Sequence, residues 1–333
     1  MIRRDTLPAL LGLLAANLPL HGFAQPRKDG KPYRISLIPD LQAVALKVFL
    51  DTLREAGRVE GRDFVLLRSG MAYGQDWEIL IKRVLDENPN LIFAGNTAVG
   101  RAFQQAIPNT PIVLHGGGFP VEGGLADSLA RPGRNVTGIS PYADLAIFGK
   151  YLQFLRDAKP GIQRIGVIWS QVPPLFPRYE IEHAFSQFRD AARKLKLDVR
   201  IYEAATPEDI DVAMTRIGAE GIDALVLPIG RALVMRNRDL LEFAIQRRLP
   251  TLTDFQYDSP KAQPLFVYGA TPSLLIRQAA GYVERVLWGG AKPGDLPIQM
   301  PTRFEFVVNQ KTARAIGVKL PQSLLVFADR VVE

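Results

Sequence analysis

The segment of this sequence that comes nearest to a catalytic motif is His115-Gly116-Gly117-Gly118-Phe119. It has the form of the glycine-rich segment that supplies oxyanion-hole amides in some esterases. That chemistry also requires a nucleophile in the pattern Gly-x-Ser-x-Gly, and no serine of the chain stands in this pattern. We therefore predict a protein that is not an enzyme and has no catalytic residue, with a hydrolase as the less favoured alternative. Glycines after a strand also let the backbone approach another lobe or a ligand closely, which makes Gly117 a candidate binding residue.

Metal and nucleotide sites have no support in the sequence. Beyond the first 24 residues the histidines are His115 and His183, which are far apart in the chain, and there is no cysteine. Neither histidine has a partner at the spacing of metal ligands. No Gly-x-x-x-x-Gly-Lys-Ser/Thr loop occurs, and no Gly-x-Gly-x-x-Gly follows a strand. The prediction is no metal and no cofactor.

The segment Gly95-Asn96-Thr97-Ala98 is the strongest sign of a binding site. It stands directly after an apolar run and directly before a segment of helical period. Asn96 or Thr97 can cap that helix, and free amides of a first helical turn bind carboxylates at the carboxyl edge of an open sheet. The alternative is an ordinary helix cap without a ligand.

Polar and aromatic residues also follow several other predicted strands. Aromatic rings at such positions can stack on a flat ligand, although a single aromatic residue more often packs in a core. Asp254 is suited to bind an ammonium group and Arg231 a second anion. The further candidate ligand-binding residues are Asp40, Trp169, Ser170, Phe176, Ile229, Arg231, Asp254 and Phe255.

The elements that would position these residues follow one pattern. From Tyr33 onward, short apolar or β-branched runs alternate with longer segments of helical period. This predicts parallel strands joined by crossover helices, an α/β protein. Four of the predicted strands are Leu91–Ala94, Ile112–Leu114, Arg164–Trp169 and Ala224–Leu227.

The alternation pauses between His115 and Tyr142, where glycines and prolines accumulate, and this marks a lobe boundary. About 309 residues remain after the predicted cleavage, which is more than one hydrophobic core usually supports and also predicts two lobes. The late segments Leu265–Tyr268, Ser273–Trp288 and Phe304–Val308 are too few for a third domain. We expect them to complete the existing sheets, so that several chain crossings form a hinge over a cleft.

The charge of the chain argues against nucleic acid as a partner. The formal net charge is +7, but lysines and arginines are scattered among acidic residues along the sequence. Nucleic-acid-binding proteins cluster their basic residues. We predict no nucleic-acid binding.

Residues 1–24 have the composition of an export signal. Arg3 and Arg4 precede the apolar run Leu7–Leu20, and Gly22-Phe23-Ala24 offers a cleavage site. We predict a signal peptide cleaved near Ala24 and a periplasmic mature protein. The arginine pair also resembles a twin-arginine signal, which leaves that route and the Sec route open. No apolar stretch after Ala24 has the length of a transmembrane helix.

Two stretches of the sequence resemble a known family. The segment 128–138, Ser-Leu-Ala-Arg-Pro-Gly-Arg-Asn-Val-Thr-Gly, is similar to a segment of the ABC transporter substrate-binding family that includes tryptophan- and tyrosine-type binding proteins. The ending from Asp295 to Asn309, with Lys311-Thr312-Ala313 and Gly317, resembles the C-terminal signature of the same family. The chain departs from the family at Pro39-Asp40-Leu41-Gln42 and at Ser170-Gln171-Val172-Pro173, in loops expected to touch the ligand.

The resemblance implies a type I periplasmic binding-protein fold with two doubly wound parallel-sheet lobes joined by a multi-strand hinge. It implies lobe one at 33–137 and 265–296, lobe two at 138–254 and 303–333, and hinge crossings at 255–264 and 297–302. The implied function is capture of a small organic ligand, an amino acid or an aromatic or carboxylate compound, by hinge closure. The implied partner is an ABC permease in the inner membrane, and we expect a monomer. The alternative is a periplasmic sensor that presents its closed form to a receptor kinase.

Overall fold

The computed structural model describes residues 30–68, 77–141, 146–170, 178–228, 230–255, 262–301 and 303–333. The predicted signal peptide at 1–24 lies outside the described residues. Among the described residues, no helix combines the length and the apolar character needed to span a membrane.

The first half of the chain alternates strands and helices as the sequence predicts. Its elements are β1 Tyr33–Ile38, α1 Ala43–Glu55, β2 Phe64–Arg68, α2 Trp77–Asp86, β3 Leu91–Ala94, α3 Thr97–Ala106, β4 Ile112–Leu114 and β5 Val136–Ile139.

The second half continues the alternation and ends with short elements. These are α4 Ala146–Ala158, β6 Arg164–Trp169, α5 Arg178–Leu195, β7 Asp198–Glu203, α6 Pro207–Glu220, β8 Ala224–Leu227, α7 Arg231–Gln246, β9 Thr251–Thr253, β10 Phe266–Ala270, α8 Pro272–Leu287, β11 Ile298–Gln299, β12 Phe304–Asn309, α9 Gln310–Ala315, α10 Gln322–Phe327 and β13 Arg330–Val332.

The strands form two sheets, one in each lobe. The first sheet has the order β11-β5-β4-β3-β1-β2 and the second the order β13-β12-β10-β9-β8-β6-β7. All described pairings within the sheets are parallel except that of β12 with β10, in which Tyr268 pairs with Phe306. Because parallel strands need crossover connections, each sheet is covered by helices on its faces.

Each sheet has an apolar core on both faces. In lobe one, Phe49 and Leu53 of α1 pack with Ile276 and Val283 of α8 on one face, and Phe103 of α3 lies in the cluster on the other face. In lobe two, α4 and α5 cover one face, and α6 and α7 cover the other. Each lobe thus has apolar core layers of its own, which agrees with the expectation that the chain is too long for a single core.

The lobe limits differ from the predicted ones at three places. Strand β10 was predicted in lobe one as part of 265–296, but it pairs with β9 and β12 of the second sheet. The chain therefore passes to lobe one only at α8. Strand β5, which was not predicted, extends the first sheet to Ile139, and β11 adds a strand within the predicted crossing 297–302.

Strand β5 lies in the glycine- and proline-rich stretch where the helical and strand patterns pause. Gly138 has a φ of +126°, and a Cβ on it would lie 2.2 Å from the carbonyl oxygen of Leu114 in β4. Only glycine fits this close pairing of β5 with β4. Because the same glycine interrupts the run of apolar residues, the sequence pattern does not predict a strand here.

Candidate ligand-binding cleft

The carboxyl edges of the two sheets face each other and touch at one side. Phe119, shortly after β4, belongs to the apolar cluster of lobe two, and its ring lies edge-on to that of His183 on α5 at 5.1 Å. Close by, a Cβ on Gly123 would lie 2.6 Å from the hydroxyl oxygen of Tyr179, also on α5. Helix α5 follows β6, so segments that leave the carboxyl ends of both sheets meet across the gap. This is the place where open α/β sheets bind ligands.

The N-terminus of α3 is capped as the sequence predicts. The Oδ1 atom of Asn96 accepts a hydrogen bond from the Val99 amide at 2.8 Å, and the Thr97 hydroxyl donates to the Gly118 carbonyl at 2.6 Å. Both Asn96 and Thr97 are buried, whereas Ala98 is half-buried. The four-residue segment Gly95–Ala98 thus forms the strand-to-helix turn that was expected.

The glycines after β4 make their close approach within lobe one. Gly117 has a φ of +90°, and a Cβ on it would lie 2.6 Å from the amide nitrogen of Thr97. A Cβ on Gly116 would lie 2.6 Å from the carbonyl oxygen of Gly95. The glycine segment therefore lies over the first residue of α3, and a carboxylate site at this helix end remains a prediction.

Asp40 and His115 flank the end of β3. The Gly95 amide donates to the Ile38 carbonyl at 2.7 Å, and the His115 amide donates to the Ala94 carbonyl at 3.0 Å, so the ends of β1, β3 and β4 are held side by side. Both Asp40 and His115 are half-buried residues, but Asp40 Oδ1 and His115 Nε2 are buried atoms without a hydrogen-bond partner among the described residues. The His115 ring stacks on Phe93 with centroids 4.5 Å apart.

The electrostatic state of His115 follows from its surroundings. Burial lowers the pKa of the imidazole from 6.5 to about 4, and an interaction with the residue's own backbone opposes this only in part. Burial penalises the charged form of a base, so the ring is neutral at neutral pH.

Two candidates in lobe two have structural roles. Trp169 is 5% exposed, and its ring makes edge contacts with Phe185 at 5.5 Å and with Phe148 and Phe188 at 6.4 Å. The Ser170 hydroxyl accepts a hydrogen bond from the Ala232 amide at 3.0 Å in the first turn of α7. Trp169, which was predicted as a stacking surface, thus packs in the core of lobe two, and Ser170 caps a helix.

A polar cluster lies behind the carboxyl end of β9. Asp254 is 9% exposed. A Cβ on Gly269 of β10 would lie 2.0 Å from the backbone carbonyl oxygen of Asp254. The Tyr151 hydroxyl on α4 is buried without a hydrogen-bond partner among the described residues, and burial, followed by the charge of Asp254, raises its pKa. The Lys150 Nζ atom donates to the hydroxyl of Tyr268 at 3.1 Å.

The remaining candidates are placed only in part. Phe255 is half-buried, and its carbonyl accepts a hydrogen bond from the Thr253 hydroxyl at 2.8 Å. Arg231 begins α7, but its side chain lies outside the described residues, as do Phe176 and Ile229. In the part of the chain that is described, no group of three His, Cys, Asp or Glu side chains is placed to hold a metal ion.

The structure brings together the lobe-one candidates Asp40, Gly95, Asn96, Thr97 and Gly117 around the ends of three neighbouring strands. His115 was not among the predicted binding residues, although it follows β4 just as Gly95 follows β3. Tyr151 was not among them either. That residue stands in the middle of an ordinary helical pattern, and nothing in the sequence signals its unpartnered hydroxyl.

Comparison with known proteins gives consistent matches. A family model described as ABC transporter substrate binding protein matches residues 41–332. A curated tyrosine-binding protein of Clostridioides difficile (strain R20291) is 24% identical over 279 residues, which cover 83% of this chain and 77% of that protein.

Two solved structures share the fold. A conserved domain protein from Vibrio cholerae O1 biovar El Tor matches with a TM-score of 0.76 and 21% identity over 90% of this chain and 100% of that chain. An ABC domain from Streptococcus pneumonia in complex with L-Trp matches with a TM-score of 0.72 and 20% identity over 90% of this chain and 100% of that chain. At this identity the likeness concerns the fold, which is the type I periplasmic binding-protein fold.

Proposed function

Because this chain belongs to the family of ABC transporter substrate-binding proteins, we propose that it captures a small organic ligand between its lobes and delivers it to an ABC permease. The protein acts outside the cytoplasm, in the periplasm, and carries out no chemistry on its ligand. Its partners are the ligand and the permease.

The observation that carries this proposal is the contact between the carboxyl edges of the two sheets through Phe119 and His183. Segments that follow β4 and β6 meet in this contact, which supports a site at the carboxyl ends of both sheets where polar groups of the two lobes surround one guest. Such a site needs only a cleft with a few convergent polar groups.

Hinge closure is the mechanism that this connectivity supports. In the described part the chain passes between the lobes after β5, after β10 and after β11. Three neighbouring crossings let two rigid lobes rotate about a short axis. A ligand that contacts both lobes binds the closed form more tightly than the open one and thereby shifts the population toward the form that the permease receives.

The ligand we propose is an amino acid, with aromatic amino acids as the first to test. The curated relative bears the name tyrosine-binding protein, and one structural neighbour was crystallised with L-Trp. Both are distant relatives, so the choice among amino acids depends on this chain's own residues.

The experiment is a titration of ligand-stripped protein. The exported protein is unfolded in guanidinium, dialysed, refolded and titrated calorimetrically with L-tyrosine, L-tryptophan and the other common amino acids, with D-tyrosine as the matched control. Binding at a ligand concentration of 100 times Kd is expected to add about 2.7 kcal/mol to the free energy of unfolding. The ligand recovered afterwards is expected to be chemically unchanged by mass spectrometry. If no amino acid produces heat or raises the melting temperature, capture of this ligand class is wrong.

A further inference from the structure

Two hydrogen-bond acceptors at the carboxyl edge of the first sheet have no partner among the residues that the structure describes. They are Oδ1 of Asp40, a residue that follows β1, and Nε2 of His115, a residue that follows β4. Strand β3 lies between β1 and β4 in the sheet. A Cβ on Gly95 would lie 2.7 Å from Pro39 Cδ and 3.4 Å from His115 Nε2. The residue next to Asp40 and the imidazole therefore meet at the same point above β3.

Such atoms are rare in folded proteins. The great majority of buried polar atoms have a hydrogen-bond partner, because a buried acceptor that has lost water and gained nothing raises the free energy of the native state. Two of them at one sheet edge, in a cleft, indicate a donor that arrives with a ligand.

The chemistry of the two atoms specifies that donor. A carboxylate oxygen accepts hydrogen bonds and favours a positive charge. The His115 ring is neutral and stacks face to face on Phe93. The Nε2 atom of a neutral imidazole accepts a hydrogen bond in the tautomer that carries the proton on Nδ1, and this is the tautomer that a donor at Nε2 requires.

We propose that Asp40 and His115 form a subsite for a primary ammonium group of the ligand. An ammonium group has three N–H donors and no acceptor, which matches two acceptors at the same sheet edge, one of them a carboxylate oxygen. A neutral imidazole does not repel this cation. The subsite rests on the proposed function and deepens it, because it requires an amine on whatever the cleft captures and makes the amine, not the ring, the group that lobe one selects.

The test uses three probes that differ only at the amine and the carboxylate: L-tyrosine, tyramine, and 3-(4-hydroxyphenyl)propionate. The ligand-stripped protein is titrated with each. We expect tyrosine and tyramine to bind and the propionate to bind at least about tenfold more weakly, because it lacks the charged donor.

The variant Asp40→Asn retains the size of the side chain and removes its charge. We expect it to weaken binding of tyrosine and tyramine at least about tenfold and to abolish the preference over the propionate. Asp51→Asn is the matched control, since it removes the same charge from α1 of the same lobe, where Asp51 pairs with Lys47 and Arg54 at the surface. It is expected to leave all three affinities within about twofold, as for a screened surface charge.

A second readout separates ligand binding from folding. Because Asp40 Oδ1 has no partner without ligand, the ligand-free Asp40→Asn variant is expected to melt at the same temperature as the parent or higher. A lower melting temperature would show that Asp40 stabilises the fold and would overturn the subsite.

The outcomes for the subsite and for the proposed function are distinct. If the propionate binds as tightly as tyrosine, or if Asp40→Asn behaves like Asp51→Asn, the subsite is wrong and ligand capture stands. If none of the probes binds, capture of aromatic amino acids is wrong, and the melting temperature of Asp40→Asn alone then supports or overturns the subsite.

Discussion

The two faces of the cleft begin their helices in different ways. In lobe one, Asn96 caps α3 with its own side chain, and Gly117 lies over the helix end. In lobe two, the residue that precedes α7 is Gly230, which has no side chain to cap the helix, and Ser170 after β6 accepts the hydrogen bond of the Ala232 amide instead.

This difference determines which polar groups remain for a ligand. A local cap satisfies the helix of lobe one without help from the neighbouring strand ends, so Asp40 and His115 keep their acceptor atoms unpartnered. In lobe two the strand-end serine is already engaged by the helix, and the strand-end tryptophan is engaged by the core. Under the proposed function, lobe one is therefore the face that selects the ligand, and these strand-end residues of lobe two support the fold.

The variant Gly117→Ala tests the close approach in lobe one and has the largest expected effect. The alanine would have a left-handed backbone conformation, and its Cβ would lie 2.6 Å from the Thr97 amide nitrogen. Because both effects destabilise the native state, we expect a loss of roughly 4 kcal/mol in the free energy of unfolding. Urea unfolding followed by circular dichroism measures it. Gly124→Ala is the control, since its φ is +67° with no atom within 4 Å, and it is expected to lose about 1–2 kcal/mol. Equal losses would show that the contact with α3 is unimportant.

The variant Phe119→Ala tests the contact between the two faces. Truncation of this ring, which is 6% exposed, is expected to lower the free energy of unfolding by about 3 kcal/mol and to let the lobes separate. Small-angle X-ray scattering of ligand-free protein then gives a larger radius of gyration. Phe103→Ala is the matched control, because Phe103 is fully buried within lobe one and its loss lowers stability without separating the lobes. An unchanged radius for Phe119→Ala would contradict a role in holding the lobes together.

The sequence predicted local features well and long-range ones less well. Strands β3, β4, β6 and β8 have the predicted limits, because apolar runs bounded by polar residues or glycine depend on neighbouring residues alone. The lobe to which β10 belongs was predicted wrongly, since sheet membership depends on partners far along the chain.

The candidate site shows the same limit. The cap at Asn96 was predicted, because residue type and position suffice for it. Whether the Trp169 ring faces a ligand or a core depends on α5, which packs against it. The residue pattern of β6 alone contains no information about that packing. The unpartnered state of His115 Nε2 is a property of the three-dimensional surroundings alone.

Acidification tests the neutral imidazole of lobe one. The folded-state pKa of His115 is about 4, below its ordinary value of 6.5, so the unfolded chain binds the proton first as the pH falls. The stability that the protein owes to the neutral His115 ring is fully present above pH 6.5. As the pH falls from 6.5 to 4, the free energy of unfolding decreases by at most about 1.4 kcal/mol per pH unit. Urea unfolding at several pH values measures this slope.

The variant His115→Gln is expected to remove that part of the slope. His183→Gln is the control, because His183 is half-buried on the other face of the cleft, and the slope due to His115 should persist in it. A parent protein and a His115→Gln variant with the same pH dependence would contradict the neutral ring.

The smallest expected effects come from the two helix caps. Asn96→Ala and Ser170→Ala are each expected to lower the free energy of unfolding by about 1 kcal/mol, as is Thr206→Ala in the capping box of α6. Urea unfolding measures all three.

Exchanging the cap of lobe two for one of the lobe-one kind gives the sharper experiment. Gly230 has extended backbone that any residue adopts, with a φ of −166°, but a Cβ on it would lie 2.6 Å from Ser170 Cβ. Gly230→Ser alone is therefore expected to destabilise the protein. Ser170→Gly removes the nearest obstructing atom and leaves the backbone carbon of residue 170 at 3.0 Å. The double variant is expected to recover part of the stability that Ser170→Gly loses, because the new serine can cap α7 locally. If the double variant is less stable than Ser170→Gly, the contact with Ser170 Cβ is not what excludes a local cap in lobe two.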